Sequence, residues 1–173
     1  MAARIVNQYQ CYESEIPQRL YRVQYDGVWS LEARVQPSFR SKREFKRDVE
    51  DHLDWSNRNS TPFVSTFSSR RHAINWAHQR LDDGFRDVTV LQLDPWRVGP
   101  IFSVLNLVQD RTLQVYTDMP QHMYYDEYLV LDRIDESSRM REVFRYFGDG
   151  YDSEESDTAE LTDYIGAMYV TNH

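Results

Sequence analysis

Cysteine is almost missing: Cys11 stands alone among 173 residues. An intrachain disulfide is therefore excluded, and with it a disulfide-stapled secreted scaffold. Glycine is scarce, at six residues. No GxGxxG turn and no Walker loop occurs, so a nucleotide bound here is not held in a glycine cradle. No apolar stretch approaches the ~18 residues of a membrane span. The first ten residues carry no apolar core of a signal peptide. The expectation is a reducing intracellular compartment, the cytoplasm, with no membrane partner. Basic excess is also absent. Net charge is −8, and residues 148–163 hold seven acids with no Lys or Arg. The remainder is near neutral, without the broad basic field that duplex nucleic acid requires. His72 and His78 are six apart, which is not the i,i+4 spacing of a zinc pair, and no metal is expected.

Aromatic residues are plentiful, with 12 Tyr, 8 Phe and 4 Trp, and hydrophobic residues make up 40%. That suffices for a core in one domain over residues 1–147. Residues 148–173 read as an acidic linker followed by a short helix over 158–169. Within the domain, residues 1–17 read as polar and irregular. Residues 18–25 read as a strand closed by Asp26-Gly27. Ser41-Lys42-Arg43-Glu44 is a capping box, and Phe45, Val49 and Leu53 follow at helical spacing, giving a helix over 42–54. The basic run from Arg40 to Arg47 then reads as its solvated face. Residues 63–67 are a second strand. Ser68 or Ser69 caps a second helix with Ala73 and Ala77 inward. Residues 88–93 alternate as a strand. Residues 101–108 are helix or strand. Residues 124–134 read as a long strand, and Ser137 or Ser138 as the start of a helix through Phe147. Interspersed elements without a glycine-rich βα turn point to an α+β fold with a mainly antiparallel sheet.

Three of these runs each carry one uncomfortable polar group. Arg22 interrupts Leu20-Tyr21-Arg22-Val23, Ser65 interrupts Phe63-Val64-Ser65-Thr66-Phe67, and Glu127 precedes Tyr128-Leu129-Val130-Leu131. A strand core accepts such groups only when they are satisfied. A guanidinium fork suits a diphosphate; the plainer reading is a surface arginine on an edge strand. Ser65-Thr66 also reads as ordinary strand composition. Lone buried Glu is rare unless paired, so an internal Arg22–Glu127 ion pair is the plain alternative to a ligand cleft.

In this order, each on a strand, the three resemble the Arg–Ser-Thr-Ser–Glu pattern of the ADP-ribosyltransferase superfamily, in its cholera-toxin-like and pierisin-like branch. The stretch from Thr61 to Ser69, followed by a helix with Trp76-Ala77, is the nearest piece. The chain also resembles a family of fungal intracellular domains of unknown function, through Tyr21-Arg22-Val23, His52-Leu53-Asp54-Trp55-Ser56 and Asp126-Glu127-Tyr128-Leu129. The first resemblance implies a split antiparallel sheet with flanking helices and a NAD cleft. It implies that Arg22 holds a NAD phosphate and ribose, and that Ser65 orients Glu127 while Thr66 supports the strand from the other face. It implies that Glu127 stabilises the charge left as nicotinamide departs, and that Phe67 or Tyr125 stacks on the nicotinamide. NAD is then a substrate, no metal is needed, and the acceptor is an unidentified protein or nucleic acid. Two positions depart from the pattern. Phe67 stands at the third Ser, and Tyr125 stands where Gln or Glu often engages the acceptor. NAD hydrolysis and an inactive binding module on the same scaffold are therefore the alternatives.

Overall fold

The capping box fixes the first long helix. In the computed structural model, which describes residues 2–151 apart from 55, 58, 148 and 149, Ser41 Oγ accepts from the Glu44 N–H at 3.2 Å. Glu44 returns a carboxylate oxygen to the Ser41 N–H at 3.2 Å. In chain order the elements are α1 (Ala2–Tyr9), β1 (Leu20–Tyr25), α2 (Lys42–Leu53), β2 (Phe63–Phe67), α3 (Arg70–Asp82), β3 (Asp87–Leu93), β4 (Ile101–Ser103), α4 (Val104–Gln109), α5 (Gln121–Tyr124), β5 (Glu127–Leu131), β6 (Arg139–Phe147) and β7 (Gly150–Tyr151). The fold is α+β. Its seven strands run in the order β4-β5-β2-β1-β3-β6-β7, and every neighbouring pair is antiparallel.

The sheet has a seam. β1 pairs with β3 over six residues and β2 pairs with β5 over five, but β1 and β2 share only Tyr21↔Phe67. Each half has its own helix. Phe45, Val49 and Leu53 of α2 bury against Phe63, Phe102 and Leu129, with Ile5 and Tyr9 of α1 closing the cluster. Ala73 and Ala77 of α3 bury against Val23, Val88, Val90 and Phe144, with Phe67 reaching over from β2. A third cluster, including Leu20, Val64, Leu91 and Val130, ties the halves together. The seam therefore lies between two helix-backed units, with room to open on one side.

Four expectations change. Residues 2–9 are helical, because Ile5 and Tyr9 recur at helical spacing and bury. Residues 101–108 are a strand and a helix in succession, with Ser103 as the N-cap between them; its Oγ accepts from the Asn106 N–H at 3.3 Å. The long strand shortens to Glu127–Leu131, since residues 121–124 turn into α5. Residues 139–147 are a strand after one 3-10 turn at Glu136–Ser138. Register shifts on β3 at Val90/Leu91 and Gln92/Leu93 leave Val143 and Met140 as extra residues on β6. Two bulges break the period of two, and Met140, Val143, Phe144 and Phe147 then fall at a helix-like spacing. Gly150–Tyr151 pairs with β6, while the helix expected over 158–169 lies outside the described residues. Among the described residues no helix is long and apolar enough to cross a membrane.

Phe45 is the ring on which α1, α2 and the sheet meet. It is fully buried, stacked on Tyr9 at 5.5 Å and tilted or edge-on to Phe39, Phe63 and Phe102 within 6.0 Å. Phe45→Ala is expected to cost about 3–5 kcal/mol, the range for an emptied aromatic site. Urea denaturation at neutral pH checks it.

Candidate functional site

Where β1 and β2 part, a cleft of about 400 Å³ opens. Arg22, Ser65, Phe67 and Glu127 all line it, so the three strands carrying the odd polar groups meet at one place. The C-terminal end of α2 supplies His52, α3 supplies Trp76, and the loop after β1 supplies Arg34. The two other residues expected at the site lie elsewhere. Thr66 is fully buried, and its hydroxyl donates to the Tyr128 carbonyl at 2.9 Å. Tyr125 caps the end of α5, is 47% exposed and is not a lining residue.

Arg22 spans the seam. Its Nη1 donates to the Ser65 carbonyl at 2.9 Å, while its buried Nε has no partner. No carboxylate among the described residues forms an ion pair with it, so the Arg22–Glu127 bridge of the plain alternative does not form. Burial draws the guanidinium down to about 10, with Arg34 adding to the shift and Tyr25 and Glu127 opposing it. It remains a cation at neutral pH, with most of its donors unused. A half-buried cation whose Nε is buried without a partner is costly unless an acceptor or anion reaches it.

Glu127 opens β5 directly opposite Phe67 and is buried. Burial pushes its carboxyl up to about 7. A hydrogen bond from the Ser65 hydroxyl, then the charges of His72 and Arg22, pull the other way, and Asp126 pushes further up. The carboxyl is therefore poised between its two forms near neutrality.

His52 was not among the expected site residues. Its Nε2 lies 2.8 Å from Ser65 Oγ and its Nδ1 lies 2.5 Å from Thr61 Oγ1. Burial, helped by the charge of Arg22, draws His52 down to about 4, so the ring is neutral at physiological pH. A consistent proton arrangement follows. Thr61 donates to Nδ1, Nε2–H donates to Ser65, and the Ser65 hydroxyl is free to donate to Glu127. A signal for His52 was present: it stands three residues after Val49 on the stripe that buries α2.

The remaining histidine near the site lies behind the cleft wall. His72 of α3 tilts against Phe67 at 4.7 Å, and its Nδ1 is 2.5 Å from Asp126 Oδ1. The basic face of α2 behaves as a solvated surface: Lys46 pairs with Glu50 at 3.1 Å, and Lys42 Nζ donates to the Thr112 carbonyl. No group of His, Cys, Asp and Glu among the described residues is arranged to hold a metal ion.

A family model, described as a domain of unknown function (DUF7587), matches residues 15–144 and so includes the whole cleft. No curated protein matches the chain. Among solved structures, a mutant of heat-labile enterotoxin, described for the flexibility of an active-site loop in its A subunit, is similar over 79% of this chain and 74% of its own. Sequence identity is 21% and the TM-score 0.45. At that score the site rests on its own geometry.

The raised Glu127 pKa has a sign. The folded protein prefers the protonated acid, so this preference is fully present below the ordinary 4.5 and is lost as pH rises through about 7. Wild type is expected to lose on the order of 3 kcal/mol against Glu127→Gln across that interval. Paired denaturation curves at about pH 4.5 and pH 8 check it, and parallel behaviour of the two proteins contradicts it.

Proposed function

The chain belongs to the family of the domain of unknown function DUF7587, and from that premise we propose a mono-ADP-ribosyltransferase-like protein that cleaves the nicotinamide–ribose bond of NAD and transfers ADP-ribose to an acceptor. One observation carries the reading. A half-buried arginine with no ion-pair partner and an unsatisfied Nε, a hydroxyl held by a neutral histidine and a carboxylate poised near neutrality converge on one cleft at the sheet seam. The sequence resemblance to the Arg–Ser-Thr-Ser–Glu enzymes gives those three groups their order and roles.

In this reading Arg22 takes a phosphate of the dinucleotide, using donors that the protein leaves unsatisfied. The bond between ribose C1′ and the nicotinamide nitrogen breaks, and its electron pair leaves with nicotinamide as a neutral ring. Positive charge passes to the ribose in an oxocarbenium-like transition state. The ionised Glu127 carboxylate stands beside that charge, as a carboxylate does in glycoside cleavage. Ser65 fixes the carboxylate, and His52 and Thr61 fix Ser65. The acceptor nucleophile then bonds to C1′ and gives up its proton.

The acceptor side supports a second reading, hydrolysis of NAD with water as acceptor. Tyr125 occupies the position two residues before Glu127, yet it lies exposed and stacked on His72 rather than in the cleft. No amide or carboxylate is offered there to engage a protein or nucleic-acid acceptor. By composition, the compartment proposed for either reaction is the reducing interior of the cell.

Nicotinamide release from NAD by the purified protein is the direct test. Glu127→Gln should lower it on the order of 100-fold or more, the loss typical of a well-placed electrostatic group. Arg22→Lys should weaken NAD binding, since an ammonium cannot replace the guanidinium fork. The rate should climb with pH through about 7, as the acid required in ionised form loses its proton. Absence of both turnover and NAD binding at millimolar ligand would overturn the reading, while binding without turnover would identify an inactive module.

A further inference from the structure

Asp126 is where β5 is tied to α3. It is 5% exposed, and the junction from β2 to α3 closes on it from several sides. The Ser68 N–H donates to its carbonyl at 2.9 Å. The Ser68 hydroxyl reaches the same carbonyl at 3.5 Å, and the Ser69 N–H donates to Oδ2 at 3.3 Å. His72 Nδ1 completes the set at 2.5 Å from Oδ1. The carboxylate thus sits at the N-terminus of a 13-residue helix, against the cap residue Ser69 and a ring from the first helical turn. Phe67, in register with Glu127, pairs with it through the strand ladder but adds no side-chain hydrogen bond to the start of β5.

His72 also packs against two aromatic rings. Phe67, a cleft residue, tilts against it at 4.7 Å. Tyr125 lies nearly parallel at 6.3 Å with an interplanar angle of 14°. The ring therefore binds together the residue opposite Glu127 and the two residues that precede it. Only 18% of the His72 side chain is exposed.

We propose that His72, bound to Asp126, is a positioning residue for Glu127, fixing both the place of its carboxylate and the charge it carries in the cleft. This inference rests on the reading of Glu127 as the carboxylate of NAD cleavage. The ionisable groups around Glu127 are Arg22 from β1, His52 from α2 acting through Ser65, His72 from α3 and Asp126 from its own strand end. His72 and Arg22 favour the ionised carboxylate and Asp126 disfavours it. His72 is thus the one group that both anchors the neighbouring residue and favours the charge that the chemistry needs.

The test follows the Glu127 carboxyl by 13C NMR, its signal identified by loss in Glu127→Gln, through a pH titration of the full chain. His72→Gln keeps a hydrogen-bond donor for Asp126 but removes any charge, and should raise the Glu127 midpoint by on the order of one pH unit. His72→Arg restores a cation and should bring the midpoint back. Asp126→Asn, which leaves His72 in place, should lower it by removing the negative neighbour, and serves should the His72 variants not fold. A merely structural pair would lower the melting temperature and leave the midpoint unmoved in every folded variant, which would overturn the proposal. Nicotinamide release measured on the same proteins separates the two readings. Moved midpoints without turnover uphold the positioning and sink NAD cleavage. Turnover with unmoved midpoints does the reverse.

Discussion

Two antiparallel units meet along a seam at which only one residue pair, Tyr21 with Phe67, completes the sheet. Beyond that pair the strands are held by a side chain: the Arg22 guanidinium takes the Ser65 carbonyl as a neighbouring strand's N–H would. Replacing ladder bonds by one long cation has two consequences. It leaves a gap wide enough to be a cleft. It also lines that gap with a half-buried positive charge whose Nε is unsatisfied. Sheets ordinarily satisfy every buried backbone and side-chain donor. A seam that spends an arginine on one carbonyl leaves the rest of the fork open toward the cleft, which is what the proposed phosphate contact uses.

The charges around the seam are arranged in depth. His52 is drawn to about 4 and stays neutral, Glu127 is pushed to about 7, and Arg22 falls to about 10 yet stays charged. Burial is the largest cause in all three, but the outcomes differ because their neighbours differ. With Thr61 donating to Nδ1, the His52 Nε2–H donates to Ser65 and leaves the Ser65 hydroxyl free to donate to Glu127. Groups displaced by burial and specific neighbours within a single cleft are the usual mark of a functional site.

Much of this was legible in the chain because local and tertiary preferences agree. The capping box before Phe45, the alternation in β3 and the β2 run bounded by Pro62 and Ser68 each name one element without ambiguity. Arg22, Ser65 and Glu127 were visible as polar intrusions, but their meeting was not, since it depends on which strands adjoin. β6 reads as a helix starting at Ser137 or Ser138, because two bulges interrupt the alternation that would mark a strand, and a bulge leaves no mark in a single sequence. His52 was overlooked for the opposite reason. A histidine on a buried stripe looks like packing until Thr61 and Ser65 are seen to occupy both ring nitrogens. Tyr125 was placed on the strand because its neighbours are strand-like, whereas Pro120 starts a helical turn that carries it out of the cleft.

The poised carboxylate gives the cleft a preference among ligands. Burial makes an ionised Glu127 unfavourable near neutrality, despite Ser65, His72 and Arg22. A ligand that brings positive charge beside it removes part of that penalty and draws the proton off. The pyridinium ring of NAD has this character, and its diphosphate has the opposite sign needed by Arg22. One dinucleotide would therefore satisfy both ends of the cleft at once, whereas a simple anion would answer Arg22 and worsen the position of Glu127. In the proposed reaction nicotinamide leaves neutral and the charge moves to the ribose. The interaction of Glu127 with the cation would then be strongest at the ribose, where the transition state needs it, and binding and chemistry would draw on the same buried charge.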